Sequence, residues 1–151
     1  MTFPEIRASL SASQTECAGE ELACAILGDS TLPRFIALFG DLGVGKTAFV
    51  RGFTRAIAPD ARVKSPTFAL VNEYRGAKLS VYHFDMYRIE DEESLYSIGF
   101  FDYLEGNGIC LTEWSENIEY ALPDSYLRVE IIKDDANNTD SRRIEISCVG
   151  I

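Results

Sequence analysis

The chain has 151 residues, of which 46% are hydrophobic and 25% charged, a balance typical of one globular domain with a single core. We therefore expect residues 1–151 to form a single domain. No apolar run approaches the ~20 residues that cross a bilayer, and the first residues lack the basic and apolar regions of a signal peptide. We expect no membrane contact and a cytoplasmic location. The net charge of −10 disfavours direct binding to nucleic-acid phosphates.

The first half of the chain alternates short apolar runs with amphipathic stretches. Ser13-Gln14-Thr15-Glu16 has the form of a capping box, in which a hydroxyl and a carboxylate satisfy free N–H groups at a helix start. The five apolar residues at 35–39 suit a strand that is buried on both faces. The apolar face of the first helix is predicted to contain Leu22, Ala23, Ile26 and Leu27. The elements predicted here are a strand at 5–10, a helix from 13 to Gly28, a strand at 35–39, and a helix from Lys46 to Pro59.

The second half predicts strands separated by short helices. Two β-rich runs flank Arg75-Gly76-Ala77-Lys78, which favours a hairpin. Acidic residues in the first turn favour a helix at 91–98, and the last residues alternate apolar and polar side chains as strands do. The elements predicted here are strands at 68–74 and 79–85, a helix at 91–98, a strand at 109–113, a helix at 114–122, and strands near 127–131 and 144–148.

A phosphate-binding motif follows the buried strand, since residues 40–47 match GxxxxGK[ST] in full. The glycines let the backbone form a nest of N–H groups for phosphate oxygens, and the next helix presents its positive end to the same anion. Lys46 is expected to reach the β- and γ-phosphates, and the Thr47 hydroxyl to ligate Mg²⁺. The motif predicts an α/β, three-layer P-loop NTPase fold with a mixed central sheet and helices on both faces. The residues expected to contact nucleotide are Asp41, Leu42, Gly43, Val44, Gly45, Lys46, Thr47 and Ala48.

A P-loop NTPase also needs an acid at a strand end to hold the metal, and this chain has two candidates. Asp85 and Glu113 each end a predicted strand. One is expected to order Mg²⁺ and the other to orient or deprotonate the attacking water, but the pattern does not assign the roles. Ser65-Pro66-Thr67 lies between the P-loop helix and the hairpin, and it forms either an ordinary loop with a Pro turn or a switch-like loop that places a Thr near the γ-phosphate. Trp114 follows Glu113 directly and belongs either to the core or to the nucleotide site.

The remaining chemically active residues favour structural roles. His83 shares a strand face with Asp85, and we interpret it as a core histidine. The cysteines are scattered without a CxxC pair, so we predict reduced, mostly buried thiols and neither a zinc site nor a disulfide framework. Residues 51–78 carry six basic and two acidic residues, a local charge of +4, which suits either a solvated face or a docking face. The cysteines are Cys17, Cys24, Cys110 and Cys148.

Beyond these separate features, the chain resembles the TsaE (YjeE) family of small bacterial ATPases that act in making threonylcarbamoyladenosine (t6A) at position 37 of tRNA. The resemblance covers roughly residues 10–132, and its motifs follow the family order and spacing. Val44 and Ala48 stand where the family more often has Ala and Thr. The matching pieces are residues 40–47, Ser65-Pro66-Thr67-Phe68, His83-Phe84-Asp85-Met86-Tyr87-Arg88, Ile98-Gly99, Asp102-Tyr103 and Glu113-Trp114-Ser115-Glu116.

This resemblance implies a set of roles and partners. Thr47 and Glu113 would hold Mg²⁺, and Asp85 would be the catalytic carboxylate beside Lys46. The switch-like loop would contain Ser65 and Thr67, Trp114 would lie beside the nucleotide, and Thr15 would lie close to adenine. The family uses ATP and Mg²⁺ and acts on the TsaB–TsaD pair, so tRNA would be met only indirectly, with residues 51–78 as a candidate docking face.

Three other functions share some of these features. A small-molecule kinase would need an arginine-bearing lid and an acceptor pocket, for which only the short acidic segment 88–106 is available. A GTPase would be expected to carry an Asn-Lys-x-Asp tetrapeptide, which the chain lacks. A nucleotide-gated interaction module with negligible turnover is compatible with every motif.

Overall fold

A computed structural model describes residues 1–66 and 70–150 as a seven-stranded sheet with helices on both faces. No helix within these ranges is long and apolar enough to cross a membrane. Thr67 lies outside the described residues. The elements are β1 (Glu5–Ser9), α1 (Ala12–Gly28), β2 (Phe35–Phe39), α2 (Lys46–Ile57), β3 (Val71–Arg75), β4 (Ser80–Asp85), α3 (Glu92–Ser97), α4 (Phe100–Glu105), β5 (Gly108–Glu113), a 3-10 helix (Ser115–Ala121), β6 (Tyr126–Lys133) and β7 (Arg142–Val149).

The sheet is mixed, as predicted, and its strands lie in the order β1-β7-β6-β2-β5-β4-β3. Strands β6, β2, β5 and β4 run parallel to one another and form the centre. On one side of this centre β7 pairs antiparallel with β6, and β1 pairs antiparallel with β7; on the other side β3 pairs antiparallel with β4. The carboxyl ends of the four parallel strands therefore meet along one edge, where α/β proteins commonly bind ligands.

Strand β2 is the centre of two hydrophobic cores. All five of its residues are buried, and successive side chains point to opposite faces of the sheet. Ile36 and Leu38 pack with residues of α1 and α2, whereas Phe35 and Phe39 pack with residues of α4 and the 3-10 helix. This double burial explains the continuous apolar run and confirms the three-layer arrangement.

Helices α1 and α2 pack closely together on one face of the sheet. Gly52 of α2 makes this approach possible, since a Cβ atom at that position would lie 1.8 Å from the carbonyl oxygen of Glu16. Two ion pairs bridge the outer surface of the same helices. Arg51 lies 3.3 Å from Glu16, and Arg55 lies 3.0 Å from Glu20.

The structure corrects the predicted start of α1. The N-cap is Ser11 rather than Ser13, and its hydroxyl accepts a hydrogen bond from Gln14 N at 3.1 Å. Gln14 then reaches back to accept from Leu10 N at 2.7 Å. A capping pair of Ser and Gln thus begins two residues before the predicted Ser and Glu pair. Leu27 was expected on the apolar face but is 49% exposed, because it lies beyond the stripe that meets the sheet.

Two further expectations differ from the structure. Helix α4 was not predicted, because its six residues are too few to show a clear period.

Cys17 and Cys24 are exposed rather than buried, since both lie on the outer side of α1, whereas Cys110 is buried as expected. Burial raises the pKa of the Cys110 thiol to about 12. All four thiols are free.

Candidate functional site

The loop between β2 and α2 has the strained backbone that its glycines allow. Gly40 has φ 144°, and a Cβ atom there would lie 2.6 Å from the carbonyl oxygen of Ile131. Gly45 is the N-cap of α2 and has φ 112°, a region that other residues rarely adopt. Asp41 and Leu42 lie at the exposed tip of the loop, with Leu42 81% exposed. The loop therefore projects from the carboxyl edge of the sheet with the N-terminus of α2 behind it.

Lys46 is folded back against its own loop. Its side chain is buried, its Nζ donates to the carbonyl oxygen of Gly40 at 2.5 Å, and the ammonium lies 3.8 Å from the centre of the Trp114 ring. Burial lowers the pKa of Lys46, and neighbouring carboxylates partly oppose that shift. The ammonium thus contacts a carbonyl oxygen and the face of an aromatic ring. The opposing carboxylates are Glu116, Glu113, Asp85 and Asp41.

The two candidate acids lie side by side. Asp85 and Glu113 are register partners at the ends of the parallel strands β4 and β5, and both are largely buried. The Thr47 hydroxyl lies 3.3 Å from each carboxylate oxygen of Glu113. Asp85 accepts a hydrogen bond from Tyr87 N at 2.9 Å. The parallel pairing explains why two acids 28 positions apart in the chain meet at one point.

The oxygen groups of Thr47 and Glu113 fit Mg²⁺. This ion prefers oxygen ligands and usually takes one or two from the protein, with waters and phosphate oxygens completing the set. Residues 1–66 and 70–150 contain no group of three or more His, Cys, Asp or Glu that would hold a metal by themselves. A hydroxyl and one carboxylate beside a phosphate loop therefore suit a metal that arrives with nucleotide.

His83 is in the core, as interpreted, but it also contacts the site. The side chain is fully buried, and its Nε2 forms a hydrogen bond with Glu113 Oε2. Its Nδ1 has no hydrogen-bond partner in the described part of the chain. The buried imidazole therefore holds one oxygen of Glu113 by a hydrogen bond and restricts how that carboxylate can rotate. The signals in the sequence were that His83 and Asp85 share one face of β4 and that both belong to a matching family motif.

An open cleft of about 510 Å³ joins these groups. Trp114 adopts φ 58° directly after β5, and its ring lies 5.1 Å from the ring of Tyr87, which is 60% exposed. The sequence analysis included Tyr87 in a matching family motif but gave it no role in the site. The cleft is lined by Leu42, Gly43, Gly45, Lys46, Thr47, Ser65, Asp85, Tyr87, Glu113 and Trp114.

A smaller recess of about 170 Å³ lies on the other side of the phosphate loop. Thr15 lines it and is buried, with its hydroxyl 2.7 Å from that of Ser9 and its methyl group facing Gly45. Val44 and Ala48 also line this recess. The predicted nucleotide contacts other than Asp41 therefore divide between the cleft and this recess, whereas Asp41 lines a separate hollow beside Glu116. The recess also includes Asp140 and Arg142, which the sequence analysis did not single out.

The fold and the phosphate loop together define a P-loop protein of the α/β class. The family model described as "Threonylcarbamoyl adenosine biosynthesis protein TsaE" matches residues 9–144, so the chain belongs to the TsaE family. The TsaE protein of Haemophilus influenzae is 45% identical over 106 residues, covering 70% of this chain and 67% of that protein. The TsaE protein of Bacillus subtilis is 41% identical over 115 residues, covering 76% and 70%.

The solved structures agree with this assignment. The crystal structure of YdiB from Bacillus subtilis aligns with a TM-score of 0.75 and 31% sequence identity, covering 99% of this chain and 88% of that one. The two relatives described above are both named as tRNA threonylcarbamoyladenosine biosynthesis proteins. The predicted family, its fold and its pathway are therefore confirmed.

Proposed function

We propose that this protein binds ATP with Mg²⁺ and hydrolyses it as an accessory protein of tRNA t6A37 modification, acting on a TsaB–TsaD pair. The observation that carries the proposal is the meeting of Lys46, Thr47, Asp85 and Glu113 in one cleft at the carboxyl edge of the parallel strands. The t6A pathway also supports a cytoplasmic location, because tRNA is modified there.

The chain supplies residues for each part of the reaction. N–H groups of residues 41–48 and the Lys46 ammonium bind the phosphates, and the N-terminal end of α2 favours their negative charge. Thr47 and Glu113 would hold Mg²⁺, which would neutralise charge on the phosphates. Asp85 lines the same cleft, and in this proposal it orients or deprotonates water. The recess beside Thr15 and Ala48 leaves room for the rest of the nucleotide.

The charges in the cleft favour slow turnover by the isolated protein. Lys46 is the one basic residue among the described residues that line it. P-loop enzymes often need a second cation, such as an arginine supplied by a partner, to stabilise the transition state. We therefore propose that hydrolysis depends on the partner.

The basic window at 51–78 is partly neutralised. Arg51 and Arg55 pair with acids of α1. If this window docks on a partner, Lys64 and Arg75 offer more free charge, because both are exposed and neither forms an ion pair among the described residues. Because the overall charge is −10, we propose that a partner binds the tRNA and that this chain does not.

The kinase alternative has less support than the interaction module. Phe100 in segment 88–106 packs edge-on against Phe35 and Phe84 under the sheet, so this part of the segment belongs to the core. A lid would need to be free to close over the cleft. A nucleotide-gated module with negligible turnover would use the same phosphate loop.

The test is steady-state ATP hydrolysis by the purified chain, alone and with a TsaB–TsaD pair, with Lys46→Ala as the blank. We expect low turnover alone and clear stimulation by the pair. Nucleotide binding without hydrolysis in either condition would favour the interaction module. Equal turnover with and without the pair would contradict the partner role, and phosphoryl transfer to a small acceptor would revive the kinase.

A further inference from the structure

Arg142, at the start of β7, connects the C-terminal hairpin to the phosphate loop. Its Nε donates to the carbonyl oxygen of Val44 at 2.9 Å, and its Nη2 lies 3.5 Å from the carbonyl oxygen of Gly43. These residues are 98 and 99 positions away in the chain. A side chain from the last strand thus contacts the backbone of the loop from the side of the smaller recess.

The guanidinium is itself held in place. Its Nη1 donates to the carbonyl oxygens of Thr139 at 2.5 Å and Ser141 at 3.0 Å, both in the loop between β6 and β7. The Ser141 hydroxyl donates to Asp134 at 2.6 Å and ties that loop together. Within residues 1–66 and 70–150, Arg142 forms no ion pair, so its hydrogen bonds go to carbonyl oxygens only.

These contacts decide the orientation of a peptide group. In a trans peptide the C=O and the following N–H point in opposite directions. Because Arg142 holds the Val44 carbonyl, the N–H of Gly45 is directed away from it. Phosphate loops bind anions through such aligned N–H groups. The five donors of a guanidinium suit this task, since they can hold two segments of chain at once.

We propose that Arg142 is a positioning residue of the phosphate loop: it fixes the peptide group between Val44 and Gly45 and so sets up the loop to bind phosphate. This inference rests on the proposed nucleotide binding. It also gives the C-terminal hairpin, which no motif marks, a part in the site. The ligand class concerned is the polyphosphate of a nucleotide.

The experiment compares Arg142→Ala and Arg142→Lys with Arg143→Ala. Arg143 is the matched control, because it is exposed on the same strand and its side chain bonds only to Glu145 within the described residues. Calorimetric titration would measure the affinity for ADP and for inorganic tripolyphosphate. Hydrogen–deuterium exchange would measure protection of amides 41–45 in the free protein, and thermal unfolding would check that each variant folds.

We expect Arg142→Ala to weaken binding of both probes about tenfold, the effect of losing roughly one or two hydrogen bonds to the loop. Hydrogen–deuterium exchange of amides 41–45 should be faster in Arg142→Ala than in the unaltered protein, and its thermal unfolding temperature should be close to that of Arg143→Ala. The affinities and exchange rates of Arg142→Lys should lie between those of Arg142→Ala and the unaltered protein. Unchanged affinity and unchanged exchange in Arg142→Ala would overturn the inference. So would weakened ADP binding with unchanged tripolyphosphate binding, which would place Arg142 on the base or ribose.

A different result would concern the proposed function. If the unaltered protein bound neither probe, the nucleotide-binding proposal would fail. The exchange data would still decide whether Arg142 fixes the loop, because they require no ligand.

Discussion

Glu113 and Asp85 are equivalent by position but not by surroundings. Both end parallel strands in the same register. Glu113 is contacted by the Thr47 hydroxyl and by His83, so its carboxylate is fixed. In the part of the chain that the structure describes, the Asp85 side chain accepts one hydrogen bond, from Tyr87 N. A fixed carboxylate suits a metal ligand, whereas a carboxylate with free lone pairs suits an interaction with water.

Substitution of each acid should therefore have a different effect. We expect Asp85→Ala to leave ADP affinity nearly unchanged and to lower ATP turnover roughly a hundredfold or more, the usual contribution of a general base. Glu113→Ala should instead weaken the dependence of nucleotide affinity on Mg²⁺. Calorimetric titration with and without Mg²⁺, together with a turnover assay, checks both. The opposite pattern would exchange the two roles.

His83 should affect the metal site without touching the metal. Replacing it with Ala removes the group that restrains Glu113, so we expect the Mg²⁺ concentration needed for half-maximal nucleotide binding to rise by about 10- to 100-fold, as for other residues behind metal ligands. His83→Gln, which keeps a donor of similar reach, should recover part of the loss. If His83→Ala and the unaltered protein needed the same Mg²⁺ concentration for half-maximal nucleotide binding, His83 would have only a packing role.

At the scale of elements, the contact between α1 and α2 supports the phosphate loop from behind. Helix α2 begins inside the loop at Lys46, so the position of its N-terminus depends on how α2 packs. Gly52 sets that packing, because the backbone of α1 at Glu16 occupies the space that a side chain would need. Thr15, one residue earlier in α1, lines the recess beside the loop.

Gly52→Ala should destabilise the protein although Ala is the better helix former. The added Cβ would force the helices apart, and we expect the free energy of unfolding to fall by about 1–3 kcal/mol, the usual cost of overpacking. Denaturant unfolding measures this quantity. Gly28→Ala is the matched control, because nothing lies within 4 Å of a Cβ atom at that helix end. A loss of similar size in both variants would mean that close packing is not the cause.

The elements differ in how well the sequence predicted them. The run at 35–39 and the motif at 40–47 were recognised because each pattern is contiguous. The placing of Asp85 and Glu113 at strand ends also followed from local pattern. Helix α4 and the true N-cap at Ser11 were missed, since short helices carry weak periodicity and two serines stand close together.

The contacts that support the site could not be predicted from the sequence. The hydrogen bond from His83 to Glu113 depends on the pairing of β4 with β5, and that from Arg142 to Val44 joins residues 98 positions apart. Neither spacing forms a pattern along the chain. Such contacts follow from strand order and register, which a single sequence does not determine.

At the scale of the whole molecule, the net charge disfavours direct binding of tRNA. The net charge is −10, and part of the basic window is neutralised within the chain by Arg51–Glu16 and Arg55–Glu20. Exposed ion pairs of this kind contribute little to stability. They do, however, remove free positive charge from the candidate docking face at residues 51–78.

The isolated protein should bind tRNA poorly. We expect a dissociation constant weaker than about 10⁻⁴ M at physiological salt, the weak end of non-specific binding, because few phosphates can be neutralised. Anisotropy of labelled tRNA at several salt concentrations checks this. Saturable micromolar binding with a steep salt dependence would show direct contact instead. The same assay with a TsaB–TsaD pair present provides the positive control.

The position of Trp114 gives the molecule its own optical reporter. The chain has one tryptophan, and its ring lies 3.8 Å from the Lys46 ammonium and beside Tyr87. Phosphate oxygens that draw the ammonium toward themselves would change the electric field at the indole. The emission of the unlabelled protein should therefore shift as the cleft fills, and stopped-flow mixing would follow occupancy in real time.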